Sequence, residues 1–153
     1  MGSVRGNETK LSQIKKERCS RDLSTRHVMK EKYLNIKKDN NELLVVIKNG
    51  KFYYVYGEDI YIIYYFFNYK IKDNILCFPD TNINKITKKL KEYNIWYIVF
   101  ESNINKEYGD SLYYFKYIEL GKEKYIKDNL INEIIIKLNN KSINELNKIK
   151  NII

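Results

Sequence analysis

The segment Leu43–Tyr56 constrains the fold of this chain more than any other. Leu43 to Lys48 is an almost unbroken Leu/Val/Ile run, Asn49-Gly50 follows it, and Lys51 to Tyr56 is aromatic and β-branched. Two such runs separated by an Asn-Gly signal specify a hairpin: the turn needs residues that accept positive φ, and the strands need side chains that fill a pleated surface.

Helical spacing appears on both sides of the hairpin. Val28, Met29, Tyr33, Leu34 and Ile36 recur at helical intervals from Ser24 until Asp39-Asn40-Asn41 stops the run, which gives a first helix. Glu58 and Asp59 place acids where the positive end of a helix dipole favours them, so a second helix is expected over Glu58–Asn68 with Ile60, Ile63, Tyr64 and Phe67 facing inward. Ile75 to Phe78 reads as a third strand ended by Pro79. A third helix over Asn82–Tyr93 turns Ile83, Ile86, Leu90 and Tyr93 to one side and Lys85, Lys88, Lys89 and Lys91 largely to the other.

Ile95 to Phe100 is a fully apolar fourth strand, which argues for a central place in the sheet. A polar loop is expected over Glu101–Asp110, then a fifth strand over Leu112–Leu120, where Tyr113, Phe115 and Tyr117 alternate with their neighbours and Gly121 breaks the run. Tyr125, Leu130, Ile131, Ile134, Ile135 and Leu138 mark a long amphipathic helix. Ser142 with Glu145 three residues on is a capping pair for a last one. The pattern is α/β (α+β): a mixed central sheet of about five strands with helices packed on it. It divides into a basic, mobile arm at residues 1–28, a core at 29–101, and a strand plus two-helix extension at 102–153 packed on the same domain.

Charge narrows the partners. The chain of 153 residues has a formal net charge of +9, and residues 1 to 38 hold eleven Lys or Arg against four acids. Such a segment suits phosphate-rich partners, because each cation near a phosphate releases condensed counterions; Lys-rich surfaces also simply keep proteins soluble. The two cysteines, Cys19 and Cys77, have no metal-ligand spacing and are expected as reduced thiols. No secretory signal is evident, and the richest apolar stretch, Ile60 to Phe67, is too short to span a bilayer, so a cytoplasmic location away from membranes is expected.

The usual catalytic constellations are missing. No glycines cluster before a Lys and a Ser or Thr as a phosphate loop requires, and the single histidine, His27, has no obvious acidic or thiol partner. Glu58 beside Asp59 fits a helix start better than an acid–base pair. The chain is therefore read as non-catalytic, with no cofactor and no metal.

From about Met29 to Glu101 the order of motifs resembles the amino-terminal mismatch-reading domain of the MutS DNA mismatch repair family. The likeness is carried by Tyr33-Leu34 on a helix, the Gly50-Lys51-Phe52-Tyr53 turn, and Gly57-Glu58-Asp59 entering an apolar helix. Leu76-Cys77-Phe78-Pro79, a helix with Ile83, Ile86, Lys89 and Leu90, and the strand Ile95–Phe100 ending at Glu101 complete it. In that family a Phe at this turn inserts beside a mispaired base and a Glu two residues later hydrogen-bonds the base. The resemblance thus implies that Phe52 is a wedge, which is favoured where stacking is already poor. Lys51 stands where the family usually has Asp, and Tyr54 stands where the base-contacting Glu would be. The other parts of a complete MutS have no room in this chain, so it resembles a freestanding relative of that one domain, of the kind expected on a mobile element.

These readings converge on a DNA-binding accessory protein whose partner is double-stranded or mismatched DNA, with a repair or replication protein as a further partner. Phe52 is the expected wedge, Tyr54 lies at the base-contacting position, and Lys48 and Lys51 meet phosphate near the turn. Arg18, Arg21, Arg26 and Lys30 add sequence-independent affinity. The alternative is a MutS-like module that docks a repair, replication or mobile-element protein without reading nucleic acid.

Overall fold

The computed structural model of the chain describes residues 23–101, 104–107 and 111–153. Helix α1 (Leu23–Lys38) leads into β1 (Leu44–Asn49) and β2 (Phe52–Tyr56), and α2 (Asp59–Phe67) follows. Next come β3 (Ile71–Lys72), β4 (Ile75–Pro79), a single 3-10 turn at Asp80–Asn82, α3 (Ile83–Glu92) and β5 (Tyr97–Phe100). Strand β6 (Ile104–Glu107), α4 (Ser111–Asn139) and α5 (Ile143–Ile152) end the chain. The six strands form one sheet in the order β3-β4-β2-β1-β5-β6. It is mixed, since β1 and β5 run parallel while the other neighbours are antiparallel. The α/β (α+β) architecture expected from the pattern is therefore present.

The hairpin forms as the sequence requires, with one adjustment: Asn49 pairs with Phe52, so the turn residues are Gly50 and Lys51. Gly50 has φ 65°, which suits the first position of a turn whose twist matches the strands. A second hairpin, β3–β4, turns at Asp73-Asn74, both in the left-handed region at φ 53° and 60°. Asx residues tolerate that region better than other L-residues, and the short ladder was not legible because β3 has only two residues.

Strict alternation splits the sheet into two apolar faces. Leu44, Val46, Tyr53, Val55, Leu76, Phe78, Tyr97 and Val99 point to the side covered by α2, α3 and the start of α4. Val45, Ile47, Phe52, Tyr54, Tyr56, Ile75 and Ile98 point to the other, where Met29 and Tyr33 of α1 meet them. Both faces are buried, which explains why the two central strands read as continuous apolar runs rather than as half-polar ones.

Three expectations are overturned. Leu112–Leu120 is not a strand but the first third of α4: Tyr114, Tyr117, Ile118 and Gly121 are buried, and intervals of three and four residues are a helical stripe. The expected loop before it contains β6, an edge strand paired to β5. Cys77 is disulfide-bonded rather than a reduced thiol. It sits half-buried beside the α1 face of the sheet, and Cys19 lies outside the described residues.

Asp59, expected only as a helix-start acid, is the most buried polar group of the core at 0% exposure. Its carboxylate accepts hydrogen bonds from the Tyr33 hydroxyl (2.9 Å), the Tyr114 hydroxyl (2.6 Å) and the Val45 backbone N–H (3.0 Å). Lys37 Nζ lies 2.9 and 3.1 Å from its two oxygens and also donates to Tyr114 and the Leu43 carbonyl. One side chain thereby ties α1, β1, α2 and α4 together.

Burial, and next the charge of Asp59, pushes the Tyr33 and Tyr114 hydroxyls far above the usual phenol range, and burial pushes Tyr56 up to about 12. An unfolded tyrosine ionises near pH 10, so protons these groups retain in the folded state are lost on unfolding above that pH. The stability they contribute is complete below about pH 10 and declines as pH rises toward and past 12. Denaturation midpoints should therefore fall steeply with pH above 10, and Tyr33→Phe with Tyr114→Phe should flatten that fall. An unchanged midpoint across that range would contradict the burial of these hydroxyls.

Candidate nucleic-acid interface

The aromatic ring expected at the hairpin turn does not protrude. Phe52 is 4% exposed and Tyr54 2% exposed. The reason is the alternation itself: Phe52, Tyr54 and Tyr56 share the sheet face that α1 covers, so a ring at the first of these positions joins the second core. As a wedge, Phe52 would first have to leave that core, and Tyr54 presents no side-chain surface to a base. The Tyr54 hydroxyl has no hydrogen-bond partner.

Charge at the turn is balanced rather than positive. Lys48 Nζ stands 3.6 Å from Asp80 and 5.9 Å above the Tyr53 ring, while the Tyr53 hydroxyl donates to Glu101. That bond, after burial, raises the Tyr53 hydroxyl above its ordinary range. Lys51 is exposed, and its carbonyl accepts from the Asp80 N–H at 2.8 Å. Two lysines therefore face two carboxylates around the turn.

Arg26 and Lys30 lie at the far end of β2, about 13 Å along the strand from the turn. Arg26 pairs with Asp73 of the β3–β4 turn at 3.3 Å. With Lys30, His27, Tyr56, Glu58 and Lys122 it lines a groove of about 580 Å³. The cations there are largely matched, since Lys122 meets Glu58 at 2.7 Å and Arg26 is held by Asp73, while the His27 ring lies 3.0 Å from Glu31. The expected site residues are thus divided between two ends of the sheet, and Arg18 and Arg21 lie outside the described residues.

Among the described residues a row of lysines lies elsewhere, on α3. Lys85, Lys88, Lys89 and Lys91 occupy its outer side, opposite the buried Ile86 and Leu90, and Glu92, 3.9 Å from Lys89, is the one acid of the helix. Four lysines on an amphipathic helix are by themselves a solvated face. What distinguishes this one is the aromatic cluster beside it. The Phe66 ring centroid lies 4.8 Å from Tyr93 and 5.0 Å from Tyr117, and Tyr93 lies 5.6 Å from Tyr117. Lys85 Nζ stands 5.5 Å from the Phe67 ring, Lys89 5.7 Å from Tyr93 and Lys116 5.6 Å from Tyr117. Tyr93 is 40% exposed. Cations held over aromatic faces at the rim of a half-open cluster can meet phosphates while a ring edge or face meets sugar or base.

The sequence showed the lysine row but not the cluster. The sequence pattern puts Tyr117 on a strand, and only its place on α4 brings it against Tyr93 and Phe66, with Lys116 over its ring. Among the described residues no group of His, Cys, Asp and Glu could hold a metal ion, and no helix is long and apolar enough to cross a membrane.

A family model described as MutS domain I matches residues 27–99. The matched span runs from α1 through β5 and includes the whole of α3. No curated protein matches the chain.

Proposed function

Residues 27–99 are a MutS domain I-like domain, and on that premise we propose that the protein is a non-catalytic accessory factor that binds double-stranded DNA by its backbone. The contact surface is the lysine row of α3 with Tyr93 and Lys116 at its edge, not the hairpin turn. The family match is the observation that carries the reading. The concentration of lysine over exposed aromatic surface on α3 supports its placement. A backbone mode needs no wedge, which agrees with a sealed Phe52 and with Tyr54 in place of the base-contacting Glu.

Fluorescence anisotropy on matched duplex, mismatched duplex, single-stranded DNA and RNA across a salt series tests this. Duplex binding should weaken steeply with salt. Lys85→Gln, Lys88→Gln and Lys89→Gln together should lower affinity more than tenfold and reduce the salt slope by about 2 to 3, at about 0.9 per lost phosphate contact. Phe52→Leu should leave the ratio of mismatched to matched binding unchanged. Negligible binding to all four probes at low salt removes the proposal, and a triple variant that binds like the parent removes the α3 surface.

The second reading is a MutS-like scaffold that docks a repair or replication protein. The loss of the reading apparatus favours it: the wedge ring is buried and the charge around the turn is balanced.

A further inference from the structure

Helix α4 packs on α2 only as far as Asp128, which accepts from the Tyr64 hydroxyl at 2.6 Å. From residue 126 to 137 all residues but Asp128 are exposed, and this stretch carries Ile126, Leu130, Ile131, Ile134, Ile135 and Ile136 at 44–62% exposure. Ile126, Leu130 and Ile134 follow one another at intervals of four and form a ridge, with Ile131 and Ile135 beside it, so the apolar face covers about half the circumference. Helix α5 also leaves apolar residues uncovered, with Ile143 78%, Leu146 37% and Ile152 84% exposed. A helix this short that leaves the body is marginal in water without cover. An apolar face of several hundred Å² is also more than a monomer ordinarily leaves bare.

We propose that the cover is the same pair of helices from a second copy of the chain, the two α4–α5 segments joining about a two-fold axis into a four-helix bundle. The charges bordering the face select this occupant. In a chain of net charge +9, the helices beyond residue 125 carry both signs, with Lys127, Lys137, Lys141, Lys148 and Lys150 against Asp128, Glu133 and Glu145. A partner recruited by charge would meet a border of one sign. A border of both signs suits a surface that faces itself, because a two-fold contact must be self-complementary. The size also fits: residues 126–139 and α5 supply about 36 Å of helix length, enough for the roughly 800 Å² per partner that a stable contact buries. Two copies joined this way would carry two α3 surfaces and could engage one duplex bivalently. The bundle itself does not rest on DNA binding.

The test is the mass of the full chain by sedimentation equilibrium, with and without Leu130→Lys and Ile134→Lys. The expected result is twice the 18.5 kDa chain mass for the parent and a monomer for the double variant, a weakening of at least tenfold. The near-ultraviolet signal of the tyrosines, none of which lies beyond Tyr125, reports that the body of the double variant is still folded. A variant that dissociates and loses helix content while keeping that signal supports the proposal, since the uncovered helices melt. A second variant, Ile131→Lys with Ile135→Lys, should also dissociate. A parent that stays at 18.5 kDa at every concentration, an open series of larger species, or variants that keep the dimer mass would each overturn it.

Discussion

Replacing Asp59 with alanine is expected to cost about 3–5 kcal/mol of folding stability, the loss that follows when one partner of a buried, hydrogen-bonded charge pair is removed. Four donors lose their acceptor together: the Tyr33 and Tyr114 hydroxyls, the Val45 N–H and Lys37 Nζ. The hydroxyls and the Val45 N–H have no water as a ready substitute, because Asp59 is fully enclosed, whereas Lys37, with its side chain 18% exposed, keeps the Leu43 carbonyl. Out of the roughly 5–15 kcal/mol that holds a domain together, this is a large share, and urea denaturation should show a marked fall in the midpoint. Asp59→Asn keeps the shape and part of the acceptor capacity, so its cost should be smaller. Tyr33→Phe and Tyr114→Phe should each cost about 1.5–3 kcal/mol, the value of a hydrogen bond to a charged group. Because both hydroxyls serve one carboxylate, the double variant should depart from additivity. A loss below about 1 kcal/mol in Asp59→Ala would mean the carboxylate is not the hub that its geometry indicates.

How far the sequence disclosed this arrangement depends on the range of the signal. The hairpin, α1, α2, β4, α3 and β5 are legible because each is specified by its own residues: an Asn-Gly signal, a 3.6-residue stripe, a proline stop, an unbroken apolar run. The last helix was legible to its cap. Ser142 Oγ accepts the Glu145 N–H at 3.3 Å, and the Glu145 carboxylate meets the Ser142 hydroxyl at 3.2 Å rather than its backbone.

What failed was decided by tertiary contact. Leu112–Leu120 has aromatic residues at alternate positions and at helical positions at once, and only the packing of Tyr114, Tyr117 and Ile118 on α2 chooses between the two periods. Asp59 next to Glu58 looks like any acidic helix start; its role requires partners 14 to 55 residues away. Phe52 illustrates the same limit for the site. The motif around it implied a protruding ring, but whether a ring at a strand end protrudes is set by what covers that face, and α1 covers it here. The α3 lysines were visible as a charged face, and only the position of α4 gives them aromatic neighbours.

Gly121 separates local preference from packing most sharply, because the two predict opposite signs for one substitution. Mid-helix glycine costs about 1 kcal/mol relative to alanine, so propensity alone makes Gly121→Ala stabilising. Its setting says otherwise. A Cβ at Gly121 would lie 2.6 Å from the carbonyl carbon of Tyr61 and 2.9 Å from its Cβ, inside any tolerable contact with the facing backbone of α2. That backbone cannot yield by a side-chain rotation, and α2 is fixed by Ile60, Ile62 and Ile63, each at most 2% exposed. α4 must therefore move away from α2, which strains the Tyr114 bond to Asp59 two helical turns earlier. The expected outcome is a net destabilisation of at least about 2 kcal/mol, toward the upper end of overpacking costs. It should be partly non-additive with Tyr114→Phe, because the displaced helix has already weakened that bond. Thermal and urea unfolding of the single and double variants would show it. A Gly121→Ala protein as stable as the parent or more so would mean that α4 does not approach α2 this closely, and the placement of Tyr117 and Lys116 beside Tyr93 would fall with it.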